Sequence, residues 1–350
     1  MNRSLSFAAM ALALAGSLLP LAPAPAQGPA LVVLNKADAT ASIILLSDGR
    51  TVATMPVGDG PHEVAVSPDG RRAVAANYGG AAGPGSTLTV LDLASRNVER
   101  TIDLGEYRRP HGIEFLPGGK RVLVTSELSQ ALIVVDVATG HVDRVIKTNV
   151  PGTHLFVLSG DGRRAWVSNI GAGSNSLVDI EKGEVLKTVA TGKAPEAIDL
   201  SPDGREVWVA DGQLDRITVL DAKTLDTLAT LAAGGRPNRV RFTRDGRWVF
   251  ESNIRSGNVN VYDARSRELV ETITFAENTS RPPSAAAKAL GSPIAPEGIL
   301  VAPDGKRIWV ALNAADRIAE IDVATRKVSR YIETGHGPDG MAYLSSAKEK

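Results

Sequence analysis

Ser-Pro-Asp-Gly-Arg-Glu-Val-Trp-Val-Ala stands at residues 201–210, and Ala-Pro-Asp-Gly-Lys-Arg-Ile-Trp-Val-Ala stands at residues 302–311. In both stretches proline and glycine suit a tight turn, and the residues that follow alternate as in a half-buried strand. Weaker copies turn at Asp69-Gly70, Gly118-Gly119, Asp161-Gly162 and Asp245-Gly246. Most copies are 42 to 49 residues apart, counted along the chain, which is the length of four short strands with their turns.

Counting the copies predicts a ring. Six full blocks open near Pro61, Pro110, Gly152, Pro195, Pro237 and Pro296. Residues 31–35, 43–46 and 51–55 resemble the last three strands of a seventh block, and residues 338–344 resemble its missing first strand. We therefore predict an all-β fold: a seven-bladed β-propeller of four-stranded antiparallel blades, closed by N- and C-terminal strands that share one blade. Closure removes the exposed edges of an open β-solenoid.

The repeat also resembles a known family. The succession Ser-Pro-Asp-Gly-Arg (201–205), Val-Trp-Val-Ala (207–210) and Val-Leu-Asp-Ala-Lys-Thr (219–224) is similar to the YVTN β-propeller repeat family, including its YncE-like periplasmic members. The resemblance covers about residues 31–344. It implies the propeller fold and a binding scaffold, a cell-surface module or, in some members, an enzyme, with no catalytic residue set common to all. Gly118-Gly119 and an insertion at about 275–295 depart from the pattern.

The first 26 residues predict export. A short n-region with Arg3 precedes an apolar stretch from Leu5 to Leu19, and Ala24-Pro25-Ala26 fits a signal-peptidase site. We expect cleavage after Ala26 and a periplasmic or secreted protein with no later membrane span. Residues 27–350 then form one propeller domain, and a closed ring predicts a monomer.

Composition excludes several kinds of function. The chain has no cysteine, which rules out disulfides, thiolate nucleophiles and thiolate-held zinc. Its formal net charge is zero, so nucleic acid is an unfavoured partner. We assign four tryptophans to one position of the second strands, which predicts packing between blades: Trp166, Trp208, Trp248 and Trp309.

One repeat position is polar in every block. The residue after the opening proline, or its equivalent, should lie at one mouth of the central channel: His62, His111, His154, Glu196, Asn238, Glu297 and Asp339. Three of the five histidines share this position, and His336 lies in a corresponding loop. A second polar set should surround the first at the ends of the second strands: Asn35, Asn77, Glu127, Asn169, Asp211, Asn253 and Asn313.

These residues leave two interpretations of the mouth open. His62, His111 and His154 could hold a divalent transition metal that Glu297 completes, since imidazole and carboxylate suit zinc, copper, nickel or iron. Alternatively, a hydrated channel is lined by polar groups that bond to backbone and water. Arg109 and Arg239 lie beside the same loops, where they could recognise an anionic group.

Two functions follow from this pattern. The first is a non-catalytic binding protein that uses the mouth to hold a small molecule, a metal or a protein partner. The predicted ligand-binding residues are His62, His111, His154, Glu196, Asn238, Glu297, Asp339, His336, Glu127, Arg109 and Arg239. The second is a metal-dependent lyase, lactonase or hydrolase with the ion held by the same histidines. No catalytic residue and no certain cofactor is assigned.

Overall fold

A computed structural model describes residues 28–277 and 285–346. It contains seven four-stranded antiparallel sheets, which confirms the predicted seven-bladed propeller. The predicted signal segment, residues 1–26, lies outside the described residues. Among the described residues, no helix combines the length and the apolar character that crossing a membrane requires.

Each blade is a meander whose first strand is innermost. The first three blades contain β4 (Pro61–Val66), β5 (Arg72–Gly80), β6 (Gly83–Asp92) and β7 (Asn97–Asp103); β8 (Pro110–Phe115), β9 (Arg121–Ser126), β10 (Ala131–Asp136) and β11 (Val142–Lys147); and β12 (Thr153–Leu158), β13 (Arg164–Asn169), β14 (Ser174–Asp179) and β15 (Glu184–Ala190).

The next three blades follow without a change of order. They contain β16 (Pro195–Leu200), β17 (Glu206–Asp211), β18 (Arg216–Asp221) and β19 (Thr227–Ala232); β20 (Pro237–Phe242), β21 (Trp248–Asn253), β22 (Asn258–Asp263) and β23 (Leu269–Thr274); and β24 (Pro296–Val301), β25 (Arg307–Leu312), β26 (Arg317–Asp322) and β27 (Lys327–Glu333). A 3-10 turn, Asn313–Ala315, follows β25.

The last blade joins the two ends of the chain. Its order is β28 (Pro338–Leu344), β1 (Ala30–Asn35), β2 (Thr40–Leu45) and β3 (Thr51–Pro56). β28 and β1 pair antiparallel from Ala30 opposite Leu344 to Asn35 opposite Pro338. The ring is therefore closed by hydrogen bonds between the chain ends, as the sequence predicts.

The repeated turn owes its shape to its own side chains. In the turn at 201–205, the Ser201 hydroxyl donates to Asp203 Oδ1 at 2.6 Å, and the same oxygen accepts the Arg205 N–H at 3.1 Å. Gly204 adopts a φ of 72°, which glycine tolerates and other residues rarely do. The turn therefore reverses the chain and begins the second strand at a fixed place in each block.

The core lies between neighbouring blades. Trp208 is fully buried and contacts Phe242 and Tyr262 edge-on, with ring centroids 5.6 and 6.2 Å away. Trp166 and Trp309 are buried at the same strand position. The assignment of Trp248 to this position was wrong: it is the first residue of β21 and is half-buried, and Phe250 takes the packed place.

The predicted insertion contains one short helix, α1 (Ala285–Leu290). Ala287 packs with Ile254, Ala295 and Ala314, which follow or precede strands at the polar end of the channel. The helix therefore lies over the face on which the sequence placed it. Residues 278–284 of the insertion lie outside the described residues.

Candidate metal centre at the channel mouth

The seven polar residues predicted for the channel mouth all occupy the second place of a first strand. At that place the ladder to the neighbouring strand is interrupted in every blade, for example between Pro61 and Val64 and between Pro237 and Arg239. A break of this kind redirects a side chain out of the sheet plane. The local backbone thus turns seven distant residues toward one end of the channel.

Three imidazoles lie against one another at this end. The rings of His62 and His111 meet edge-on with centroids 4.8 Å apart, and those of His111 and His154 stack at 4.2 Å. All three histidines are buried. The repeat phase of the sequence therefore does bring the histidines of three consecutive blades into direct contact.

The contacts continue on both sides of the histidines. His154 Nε2 is 3.3 Å from Glu196 Oε1, and the Asn238 amide donates to the same oxygen at 3.2 Å. On the other side, His62 Nδ1 is 3.0 Å from Asp339 Oδ2. These residues form what we call the polar ring: His62, His111, His154, Glu196, Asn238, Glu297 and Asp339.

Arg239 connects the two ends of this series. Its Nη1 donates to Asn238 Oδ1 at 3.0 Å, while its Nη2 bonds to Glu63 and lies 3.9 Å from Asp339 Oδ1. The Arg239 side chain is 4% exposed. A buried cation in this place balances carboxylates from two other blades, so Arg239 neutralises the ring rather than facing solvent.

Burial and charge set the protonation of the imidazoles. Burial, reinforced by the neighbouring His154 and His62, holds the pKa of His111 well below its usual value, so His111 is neutral at pH 7. Burial also opposes protonation of His154, but Glu196 and Glu127 outweigh it and raise its pKa to about 9. A metal ion bound by His154 would therefore displace a proton.

Two carboxyl groups of the ring also share a site. Burial and the adjacent Asp339 raise the pKa of Glu297 above its usual range. Burial opposes ionisation of Asp339 too, but His62 and Lys36 lower its pKa. The pair is thus one anion and one neutral acid at pH 7, and the Asn313 amide donates to Glu297 Oε2 at 3.3 Å.

Five members of the predicted second set lie one residue too early to face the ring, whereas Glu127 and Asn313 stand at the position that faces it. Asn77 and Asn169, from the predicted second set, bond to hydroxyls of the adjacent strand within their own blades. The residue one place further on faces the ring instead, because successive residues of a strand point to opposite sides. By strand register this position holds Lys36, Tyr78, Glu127 and Asn313.

Tyr78 and Lys36 are the ring contacts that sequence reasoning missed. The Tyr78 ring lies 4.5 Å from His62 and 5.2 Å from His111, and its hydroxyl donates to Glu127 Oε2 at 2.7 Å. Lys36 Nζ is 3.8 Å from Asp339 Oδ2. Their shared register with Glu127 was the signal that could have identified them.

The donor group that could hold a metal differs from the predicted one. His111, Glu127 and His154 each offer a ligand atom, and these atoms lie within 4.8 Å of one another. His154 Nδ1 bonds to Glu127, and His111 Nδ1 is buried with no hydrogen-bond partner among the described residues. Of the predicted set, His62 is paired with Asp339, and Glu297 lies beside that same aspartate.

Two other predicted ligand residues lie outside the polar ring. His336 is exposed, and its Nδ1 is 2.9 Å from Asp38 Oδ1. Arg109 is half-buried above Tyr78, with its guanidinium carbon 5.1 Å from the ring centroid. His336 therefore fixes a surface loop, whereas Arg109 covers the tyrosine that contacts the histidines.

The comparisons with known proteins agree with this architecture. In structure the chain is similar to a functionally unknown protein from Desulfotomaculum acetoxidans (TM-score 0.71, 15% identity, 90% of this chain and 99% of that one). It is also similar to Kuenenia stuttgartiensis hydrazine synthase (TM-score 0.66, 16% identity, 82% and 96%). At these identities the likeness shows the fold alone.

Sequence similarity places the chain in a family. No curated protein matches it significantly. The family described as "Cytochrome D1 heme domain" matches residues 161–349, which is more than half of the chain. That family is one of eight-bladed propellers, whereas this ring has seven blades. The match covers the last three full blades, three strands of the blade before them and the closing strand, and by it the chain belongs to the cytochrome D1 heme domain family.

Proposed function

We propose that this chain is an exported, monomeric binding propeller that holds a divalent transition-metal ion between His111, His154 and Glu127. One observation carries the proposal: three buried donors converge within 4.8 Å, and one of them, His111 Nδ1, has no partner among the described residues. A buried nitrogen without a partner is costly, and a metal ion would satisfy it.

The donor types fit such an ion. Two imidazoles and a carboxylate suit zinc, copper, nickel or iron, and three protein ligands leave a coordination position for water or a small ligand. Tyr78 holds the second oxygen of Glu127, which would orient the carboxylate. Calcium and magnesium are unsuited, because they prefer oxygen ligands.

The family description names a heme, and the histidine cluster does not fit one. His111 and His154 stack at 4.2 Å and His62 packs against them, so no macrocycle can lie between the imidazoles. The channel beyond the ring is lined by no histidine in the described part of the chain. Of the residue types that ligate heme iron, this lining has Met341 and Tyr343, and Tyr343 stacks on Trp309 at 6.0 Å. We assign no heme to this chain.

We also propose that the chain is related to the YVTN-repeat propellers, as its repeat suggests. The Ser-Pro-Asp-Gly-Arg turns and seven closed blades support kinship with YVTN-repeat propellers that bind ligands at one end. The leader-like residues 1–26 support action outside the cytoplasm. Mass spectrometry of the protein released by the cell should give Gln27 as the first residue.

Metal stoichiometry tests the proposal. Purified protein is dialysed against a chelator, reloaded separately with Zn²⁺, Cu²⁺, Ni²⁺ or Fe²⁺, and analysed by elemental mass spectrometry. We expect one ion per chain with at least one metal, and background levels in His111→Ala and Glu127→Gln. His62→Gln should keep the ion, because His62 is committed to Asp339, and His141→Ala at the exposed opposite end is the control.

Two results would contradict the assignment. One is wild-type protein that retains no ion above the level of an unrelated control protein. The other is metal content that is unchanged in both His111→Ala and Glu127→Gln while circular dichroism shows that the propeller is intact.

A further inference from the structure

A second site lies in the channel on the other side of the polar ring. There the first strands enclose a cavity of about 780 Å³ that extends to the turns at the far end of the blades. The ring closes one end of this cavity with buried side chains. The cavity is therefore a pocket with its own walls, separate from the proposed metal centre.

Charged side chains of both signs stand at one level of this pocket. They occupy the fifth place of their first strands: Glu114 in β8, Asp199 in β16 and Arg241 in β20. β8 and β20 are three blades apart in a ring of seven, so Glu114 and Arg241 lie on nearly opposite walls. A carboxylate and a guanidinium thus face each other across open space.

Glu114 has no close partner, and Arg241 has one weak ion pair, with Asp199. Glu114 reaches into the channel and has no hydrogen bond or ion pair within the described ranges. Arg241 is held by its Nη1, which donates to the backbone oxygens of Ile198 and Val240 at 3.2 and 3.1 Å. The same Nη1 lies 4.0 Å from Asp199 Oδ1, whereas Nε and Nη2 carry no hydrogen bond among those residues.

The other charged residues of the pocket either have partners or are exposed to solvent. Asp199 accepts the Phe242 N–H at 2.8 Å, and Glu63 is bonded to Arg239 at the ring end. Arg244 stands at the open end, where it is exposed. Between the charged walls the lining is apolar, with Phe115, Phe156, Val157, Leu158, Leu200 and Leu300.

We propose that this pocket binds a small zwitterionic molecule, with its amino group against Glu114, its carboxylate against Arg241 and an apolar body between them. A purely anionic ligand would leave Glu114 without a partner in a confined space. A purely cationic ligand would leave the Nε and Nη2 donors of Arg241 unpaired. Arginine suits the carboxylate because its planar donors can bond both oxygens.

The ionisation of Glu114 is consistent with this ligand. The Glu114 side chain is exposed to the channel space, but the channel walls surround it, and the resulting desolvation raises its pKa to about 7; Arg241 opposes the shift, and Asp199 adds to it. A bound ammonium would keep the carboxyl group ionised at neutral pH. The ionised form of Glu114 is therefore unfavourable until a bound cation stabilises it.

Titration calorimetry with matched probes tests the proposal. The first set is 6-aminohexanoate, hexylamine and hexanoate, and the second is phenylalanine, phenethylamine and 3-phenylpropanoate. We expect at least one zwitterion to bind 10-fold or more tightly than both of its single-charge analogues. Glu114→Gln and Arg241→Gln should each weaken that binding 10-fold or more, and Glu114→Gln should leave the affinity for the matched carboxylate unchanged.

The controls separate this site from the metal centre and from folding. Glu127→Gln should leave zwitterion binding unchanged, and Glu181→Gln and Arg205→Gln, at exposed positions, should do the same. If Arg241→Gln fails to fold, Arg241→Lys replaces it. The proposal is overturned if neither zwitterion binds, if the single-charge analogues bind equally well, or if the Glu114 and Arg241 variants bind like the wild type.

Discussion

Tyr78 donates a hydrogen bond to Oε2 of Glu127 at 2.7 Å, although the two residues belong to neighbouring blades. The other oxygen of Glu127 bonds to His154, so the carboxylate bridges the tyrosine and the imidazole. Burial, the charge of Glu127 and this hydrogen bond raise the pKa of Tyr78, which keeps the phenol protonated and able to donate. One hydroxyl therefore orients a proposed metal ligand.

Tyr78→Phe should weaken metal binding without removing the site. The variant keeps the ring that packs on His62 and His111 but loses the hydroxyl that holds Glu127. Loss of such a supporting group typically costs about 10-fold to 100-fold in metal affinity. Competition with a chromophoric chelator measures the change, and Tyr107→Phe, away from the ring, should have no effect. Equal affinity in Tyr78→Phe and wild type would show that the tyrosine does not position Glu127.

Arg239→Met should strongly destabilise the propeller. It removes a buried cation that bonds to Glu63 and lies 3.9 Å from Asp339, which leaves Glu63 without its partner and Asp339 with only His62 and Lys36. Breaking a buried pair in this way costs about 3–5 kcal/mol, whereas the exposed control Arg205→Met should change stability by less than about 0.5 kcal/mol. Urea unfolding measures both. Adding Glu63→Gln to Arg239→Met should recover part of the loss, and an additive double variant would contradict the pairing.

The fold could be predicted because the signals that specify it are local. A Ser201–Asp203 hydrogen bond and a left-handed Gly204 begin a strand wherever that short pattern occurs, so the blocks could be counted from sequence. The polar position at the second residue of each first strand could also be identified from sequence, because it follows the opening proline or its equivalent. The incomplete first and last blocks predicted closure, which the pairing of Ala30 with Leu344 confirms.

The partners within the ring could not be predicted in the same way. Whether His62 contacts Asp339 or faces its neighbours depends on side-chain packing across the closure of the ring, 277 residues apart in the chain. Glu127 replaces Glu297 in the donor group because Glu127 bonds to His154, whereas Glu297 lies beside Asp339. Tyr78 was missed because it stands one residue after the predicted Asn77, and such a displacement reverses the direction of a side chain.

Glu251→Gln should change how stability depends on pH. Glu251 is fully buried, and its Oε1 has no partner among the described residues. Burial raises its pKa from 4.5 to about 7, although Asn253 and Tyr262 partly oppose this. Between these two values the folded state binds more protons than the unfolded state, so this group lowers stability as the pH rises, by on the order of 3 kcal/mol in total.

The measurement is the difference in unfolding free energy between wild type and variant from about pH 4.5 to about pH 9.5. We expect this difference to shift in favour of Glu251→Gln as the pH rises and to level off above about pH 8. The exposed variant Glu181→Gln should show no such trend. A constant difference across the range would mean that Glu251 is not held in a raised-pKa state.

Gly340→Ala should destabilise the propeller, because the added Cβ would clash with backbone next to the polar ring. Gly340 follows Asp339 in β28, and a Cβ at this position would lie 2.2 Å from the backbone oxygen of His62. That oxygen cannot rotate away as a side chain could, so the strand that carries Asp339 must shift. We expect a loss of about 1–3 kcal/mol in urea unfolding. Gly160→Ala is the matched control, because a Cβ there meets no atom within 4 Å. Equal stability of the two variants would show that β28 and β4 do not approach so closely at Asp339 and His62.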